Sequence, residues 1–336
     1  MPKPTIYDVA TRASVSISTV SLALNAPERV REATLSRILQ AADELAFVPK
    51  TEAVTRARRG VRRIGVFAGF TSHASYAQRL NGVLQAAAQE RFEVVVYDQE
   101  EAAIVENQGI AATQTRSRLA SLPLTGRVDG LIVMSPPFSD DIAQRLAKQH
   151  VTTVLVGLEW PGLSSVMTDD ASGARMVADL LTSRGHQRIA YLGGADTQWA
   201  GWPSAVRLAS FHDALPTPPR ARLTDPTRPF DSARATTHEL LAGPEPPTAI
   251  FAGSDLLAGG ALRAAHDLRL TVPADCAIVG FDDSDLAEPL GLTTVHQPLE
   301  ESGQIATEIL LAQLESPRRS ARRTTLSVSL VERSTT

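Results

Sequence analysis

A single cysteine, Cys276, stands in 336 residues, so no internal disulfide can form. Its setting, Asp275-Cys276-Ala277-Ile278-Val279, reads as a buried strand position rather than a reactive thiol, and redox chemistry is not expected. The histidines are scattered without cysteine partners or metal-like spacing, so no metal site is expected. Long apolar runs are missing too, and nothing approaches bilayer-spanning length. The start, MPKPTIYDVA, lacks the basic segment followed by an apolar run that a secretory signal needs. A cytoplasmic protein with no membrane partner is therefore expected. Neither Gly-x-Ser-x-Gly nor Gly-x-Gly-x-x-Gly occurs, and no base and nucleophile are evidently paired. The chain is not expected to be an enzyme or to carry a cofactor. Its end, Ser334-Thr335-Thr336, shows no apolar heptads for a coiled coil.

What is present is an ordinary globular balance, 43% hydrophobic and 21% charged. The length suits one large two-lobed unit with a small extra module. Charge is unevenly placed. Residues 1–63 hold eleven Lys or Arg against six Asp or Glu, a net +5 in a chain of net −4. A basic head on an acidic body is the distribution of a phosphate-contacting module.

Three short helices are predicted in the head. Thr5-Ile6-Tyr7-Asp8 is a cap with an acid three residues on, followed by Val9, Ala10 and Ala13 at helical spacing. Ser14-Val15-Ser16 breaks that pattern, and Ser16 can cap a second helix to about Leu24. Ile17, Val20 and Leu24 fall on its inner side, which leaves Ser18, Leu22 and Asn25 outside. A third helix places Leu35, Ile38, Leu39, Ala42, Leu45 and Ala46 on one stripe and stops at Pro49.

From Arg62 the texture changes to short apolar runs at 64–68, 94–97, 131–134, 154–156, 189–192, 250–252 and 278–280. Helical stretches are predicted at 77–90, 142–149, 173–183, 256–268 and 299–314. The alternation indicates parallel sheets covered on both faces. Arg63-Ile64-Gly65-Val66-Phe67-Ala68-Gly69 and Arg188-Ile189-Ala190-Tyr191-Leu192-Gly193-Gly194 echo each other, each like the first strand of its own lobe. The fold class is thus α/β, with a small helical head and a body of two parallel-sheet lobes and a ligand cleft between them. Residues 215–229 contain five prolines and no apolar periodicity, and are expected to form a surface loop.

Tyr7-Asp8-Val9-Ala10, Val15-Ser16-Ile17-Ser18-Thr19-Val20-Ser21, Asn25 and the 30–45 helix together resemble the LacI/GalR family of bacterial repressors. The likeness continues through Gly126-Arg127-Val128-Asp129-Gly130, Gly185-His186-Gln187-Arg188-Ile189, Ser254-Asp255-Leu256-Leu257-Ala258-Gly259-Gly260, Ile278-Val279-Gly280-Phe281-Asp282-Asp283, Leu292-Thr293-Thr294-Val295 and Val328-Ser329-Leu330-Val331. It implies a helix-turn-helix DNA-binding domain at 1–48, a hinge at 49–61 and a two-lobed body at 62–336 that is a periplasmic-binding-protein-like effector and dimerisation domain. The implied partners are operator DNA, a small sugar-like effector and a second copy of the chain. A transport component with the same body is the alternative, and the basic head opposes it.

By resemblance Ile17, Ser18 and Leu22 face bases, while Ser16, Thr19, Ser21 and Asn25 touch or support the phosphate backbone. Thr5 and Tyr7, from the first helix, belong to the same interface. Leu22 departs from the family, where Arg is common; Leu offers apolar contact in place of a bidentate one to guanine. In the hinge the match is poor, with Arg56 where Leu is usual. Either Val54 supplies an apolar wedge to the minor groove, the arginines read a narrow groove by charge, or the segment is a solvated linker.

For the effector the resemblance indicates Arg207, Ser254 and Asp282, with Asp170 and Asp255 nearby. A guanidinium can span neighbouring hydroxyls, and a carboxylate can accept two more. Trp199 and Trp202 are aromatic candidates to lie against a sugar face, joined by Phe70 and Tyr76 from the first lobe. Ser254 departs from relatives that carry Asn. Plainer roles compete: Asp282 and Asp283 as caps of a turn after a strand, Arg207 in a surface ion pair, the tryptophans as lobe core or a dimer contact. His186, in a helix-to-strand corner, is expected to be structural.

Overall fold

The computed structural model describes residues 4–25, 27–45, 47, 62–68, 74–98, 119, 124, 126–134, 138–194, 202–225, 228–316 and 320–336. The chain divides into two compact units. Unit 1 is Met1–Ser165 with Gly303–Arg322, and unit 2 is Val166–Ser302 with Arg323–Thr336.

Unit 1 begins with α1 (Ile6–Arg12), α2 (Ile17–Asn25), a 3-10 turn at Pro27–Arg29 and α3 (Glu32–Glu44). The first cap forms as expected: the Asp8 carboxylate accepts from both the backbone N and the hydroxyl of Thr5, each at 2.7 Å. Those bonds hold the Asp8 pKa below its usual value. Ser16 caps α2, its Oγ accepting from the Thr19 backbone N at 3.1 Å. Val9, Ala10, Val20, Ala23, Leu24, Ile38, Ala42 and Phe47 close a small core. Ile17 does not join it. At the first turn of α2 it is 40% exposed, and Ala23 joins Val20 and Leu24 in the core. Ala46 and Pro49 lie outside the described residues.

The rest of unit 1 is a parallel sheet in which β1 (Arg62–Ala68) lies between β2 (Phe92–Asp98) and β3 (Gly130–Val133), with β4 (Thr152–Val156) beyond β3. Helices α4 (Ala74–Gln89) and α5 (Asp140–Lys148) follow β1 and β3. Ile142 and Leu146 of α5 pack with Phe67, Leu131, Val133 and Leu155 of the strands. β5 (Ser164–Thr168) lies where the chain first passes between units.

Unit 2 repeats that strand order. After α6 (Asp170–Ser183), β6 (Ile189–Gly194) lies between β7 (Arg220–Thr224) and β8 (Ala249–Ala252), and β9 (Ala277–Val279) flanks β8, all parallel. This is the echo read from 63–69 and 188–194. The helices are α7 (Pro203–Ala214), α8 (Pro229–Ala242) and α9 (Asp255–Asp267). Tyr191, Phe251 and Val279 face one core with Val177, Leu181, Phe211 and Phe281. Their strand neighbours Leu192, Ile250, Ala252 and Ile278 face a second core with Leu257, Ala258 and Ala261. Alternate residues enter opposite layers, so strands buried on both sides read as continuous apolar runs. Beyond β9 follow β10 (Thr294–His296), α10 (Leu299–Glu315), β11 (Arg323–Leu326) and β12 (Ser329–Val331), with β10 and β12 antiparallel.

The proline-rich segment is not simply a loop. It contains the edge strand β7, and Pro229 opens α8 at a position where no backbone donor is needed. Only Thr224 of β7 is buried, so the strand carries no hydrophobic signal. Cys276 is fully buried just before β9, and burial pushes its thiol up to about 12. His186 lies in its corner with Nδ1 3.1 Å from the Thr248 hydroxyl, and desolvation lowers its pKa. Among the described residues no helix is long and apolar enough to cross a membrane.

Candidate functional sites: an exposed helix end and a buried polar cluster

On the head, one end of α2 is bare. Ser16, Ile17 and Ser18 are exposed in succession, and Tyr7 from α1 is 65% exposed beside them. Tyr7, Ala10, Thr11, Ser14, Val15, Ser16 and Ile17 line an open hollow of about 700 Å³. Local bonds hold this surface: the Ser16 and Thr19 hydroxyls are 2.7 Å apart, and Thr11 donates to the Tyr7 carbonyl at 2.9 Å. First-turn amides and exposed hydroxyls suit an anionic backbone. Thr5, Thr19, Ser21 and Leu22 are half-buried at its edge. The Asn25 side chain and all of Val54 and Arg56 lie outside the described residues.

In unit 2 the structure brings Asp170, Arg207 and Asp282 into one buried network. Arg207, at 6% exposure on α7, donates Nε and Nη2 to Asp170 Oδ1 at 3.1 and 2.5 Å, and Nη1 to the Gly253 carbonyl. Its guanidinium lies 3.6 Å over the Phe281 ring, an added cation–π attraction. The Thr168 hydroxyl lies 3.1 Å from Asp170 Oδ2 and 2.7 Å from Gln297 Oε1, and Gln297 Nε2 donates to Asp282 Oδ1 at 2.7 Å. Burial alone would lower the Arg207 pKa, but Asp170, with Tyr191 and Asp282, outweighs it and holds the group above its usual value. Asp282 has φ +118°, a conformation L-residues rarely adopt, and its carboxylate meets Gln297 of this cluster.

The remaining acid and serine divide differently. Asp255 is fully buried and inward-facing: Oδ2 accepts from the Ser284 backbone N and Oδ1 from the Thr294 hydroxyl, both at 2.6 Å. Burial raises its pKa to about 6 despite those bonds. Ser254 Oγ caps α9, accepting from the Leu257 N at 3.3 Å. Trp202 is half-buried at the start of α7, and Tyr76 is half-buried on α4 of unit 1. Phe70 and Trp199 lie outside the described residues. Sequence reasoning missed Thr168, Gln297, Phe281 and the Gly253 carbonyl. Phe281 and Gln297 stand within or just after stretches that carried the family likeness, so their signal was present and unassigned.

Residues 5–50 match the bacterial regulatory proteins, lacI family, and residues 178–336 match a periplasmic binding protein-like domain. The chain joins a lacI-family head to a periplasmic binding protein-like body. Over 342 residues, 98% of each chain, it is 28% identical to the ribose operon repressor of Escherichia coli (strain K12). It superposes on the Lac repressor dimer bound to operator and the anti-inducer ONPF with TM-score 0.68, at 27% identity over 99% of each chain. It matches the transcriptional regulator CelR–cellobiose complex with TM-score 0.68, at 27% identity over 99% of this chain and 100% of that one. The exposed helix end falls within the first matched region, and Arg207, Phe281, Asp282 and Gln297 fall within the second.

Proposed function

We propose that the chain is a sequence-specific DNA-binding transcription repressor of the cytoplasm, a homodimer without enzymatic activity, whose operator affinity is set by a small sugar. The division of labour is 1–48 for DNA, 49–61 as hinge and 62–336 for effector and dimerisation. The supporting observation is the coexistence of a bare, hydroxyl-rich helix end on a basic head with a buried, hydrogen-bonded Arg207–Asp170–Asp282 cluster. Ile17, Ser18 and Leu22 meet base edges, Ser16, Thr19, Ser21 and Asn25 hold phosphates with Thr5 and Tyr7, and Val54 and Arg56 act in the hinge.

The cluster also favours one kind of sugar. Arg207 is paired with Asp170, and Asp282, which also acts on the Arg207 charge, accepts from the Gln297 amide. These three side chains are two carboxylates and one guanidinium, a balance that suits neutral hydroxyls and repels a phosphate ester. The similarity to a ribose operon repressor and to a regulator bound to cellobiose supports an unphosphorylated sugar. Ser254, Trp199, Trp202, Phe70 and Tyr76 complete the effector set, and Asp255 supports its wall.

The test is selection of duplexes from a random-sequence library by the full-length protein, with and without a panel of neutral sugars and sugar phosphates. A recovered inverted repeat whose binding changes with a neutral sugar is the expected outcome. Recovery of no preferred sequence under any condition would overturn the proposal.

A further inference from the structure

Within unit 1 the head is gripped from behind by two arginines more than a hundred positions later in the chain. Arg127 Nη2 donates to the Leu24 carbonyl at 3.1 Å, in the last turn of α2. Arg145 Nε lies 3.2 Å from Asp43 Oδ2 in the last turn of α3, and both side chains are only 17% exposed. Each arginine is held before it reaches the head. Arg145 donates Nη1 to the Leu119 carbonyl at 3.0 Å. Arg127 follows Gly126, whose φ of +73° makes the turn into β3. That turn is pinned where Asp129 Oδ2 accepts from the Arg63 backbone N at 2.7 Å, at the start of β1.

The site of the grip matters as much as its strength. The C-terminal end of a helix carries carbonyls without internal partners and the negative end of its dipole, so a guanidinium there is both cap and counter-charge. The bare Ser16–Ser18 end of α2 is the opposite end and stays open while the head is held. A shielded ion pair of this kind fixes orientation more than an exposed pair does, because screening is weaker.

We propose that Arg127 and Arg145 are positioning residues for DNA binding, locking the head onto the α/β part of unit 1 with its DNA-reading end presented. This rests on the DNA-binding function proposed above. With the lock closed, the spacing between the two half-sites of an operator is set by the body of the protein and not by a free tether. Opening the lock then has two effects: weaker binding, since orientation is no longer prepaid, and tolerance of altered half-site spacing.

The experiment uses the full chain and the tightest duplex recovered by selection with the wild-type protein. Asp43→Arg and Arg145→Asp each place like charges at the contact. Each is expected to weaken binding about tenfold or more, and to let a duplex lengthened at its centre by roughly one or two base pairs bind as well as the parent. The double reversal, Asp43→Arg with Arg145→Asp, is expected to bring both readouts back to within about threefold of wild type. Melting temperature and sugar-induced stabilisation should be unmoved. Single variants with wild-type affinity and spacing selectivity, or a double variant no better than the singles, would overturn the lock. Where a reversal lowers the melting temperature, Arg127→Gln and Arg145→Gln carry the test by spacing selectivity, and unchanged selectivity overturns it. A wild-type protein that selects no duplex fails at the earlier step, which separates the two proposals.

Discussion

The bare end of α2 is built from neighbours in sequence, its bonds joining residues three or four apart, whereas the buried cluster of unit 2 joins residues up to 129 positions apart. The head presents exposed hydroxyls on a miniature core; the cluster hides charge that must be compensated internally. A surface of the first kind can exchange side chains with little structural penalty, so it can be retuned for sequence. A buried network of the second kind couples binding to stability, because each group removed strands its partner.

The largest expected effect breaks the buried side of this contrast. Arg207→Ala leaves Asp170, only 3% exposed, without its counter-charge. Thermal and urea unfolding should show a loss of about 3–5 kcal/mol, with sugar stabilisation abolished. A loss within the range of surface substitutions would show that the cluster is solvated and not buried.

A second expectation concerns pH. The Asp255 carboxyl titrates near 6 in the folded chain against an ordinary 3.8. The folded state therefore holds a proton that the unfolded state has released, and this group's stabilisation is full below the ordinary value and lost as pH rises through 6. Asp255→Asn should flatten the difference in unfolding free energy between acid and neutral pH by about 3 kcal/mol. Parallel pH profiles for the two proteins would remove the assignment.

Packing behind the cluster gives a smaller effect. A methyl at Gly173 would meet the Phe281 ring at 2.8 Å. Gly173→Ala should cost about 1–3 kcal/mol and weaken sugar binding by shifting the ring under Arg207. Unchanged sugar affinity in a destabilised variant would separate Phe281 from the site.

The exposed side is sharpened by Leu22→Arg. Unfolding should stay within about 0.5 kcal/mol of wild type, while the selected operator shifts toward guanine at one position in each half, by about 1–3 kcal/mol of discrimination. An unchanged operator would place Leu22 off the bases.

The same contrast explains what the sequence made legible. The Thr5 and Ser16 caps, the head core and the repeated first strands depend on local pattern, and each was readable. Ile17 was misplaced by spacing because a first-turn residue can lie past the edge of the helix's buried face. β7 was missed since an edge strand with one buried residue has no apolar period. Arg207, Asp170 and Asp282 were named through the family likeness. Thr168 and Gln297 were missed because only the folded chain brings β5 and the segment after β10 together, Thr168 meeting Asp170 and Gln297 meeting Asp282.

The most direct test of the account is the affinity of the full-length protein for its selected duplex, measured by fluorescence anisotropy at fixed salt, with and without the neutral sugar that most raises its melting temperature. The account predicts a change of roughly 5–150-fold in wild type, matched by an equal effect of the duplex on sugar affinity, and none in Asp282→Asn. A sugar that binds and stabilises the protein while leaving operator affinity untouched would contradict it.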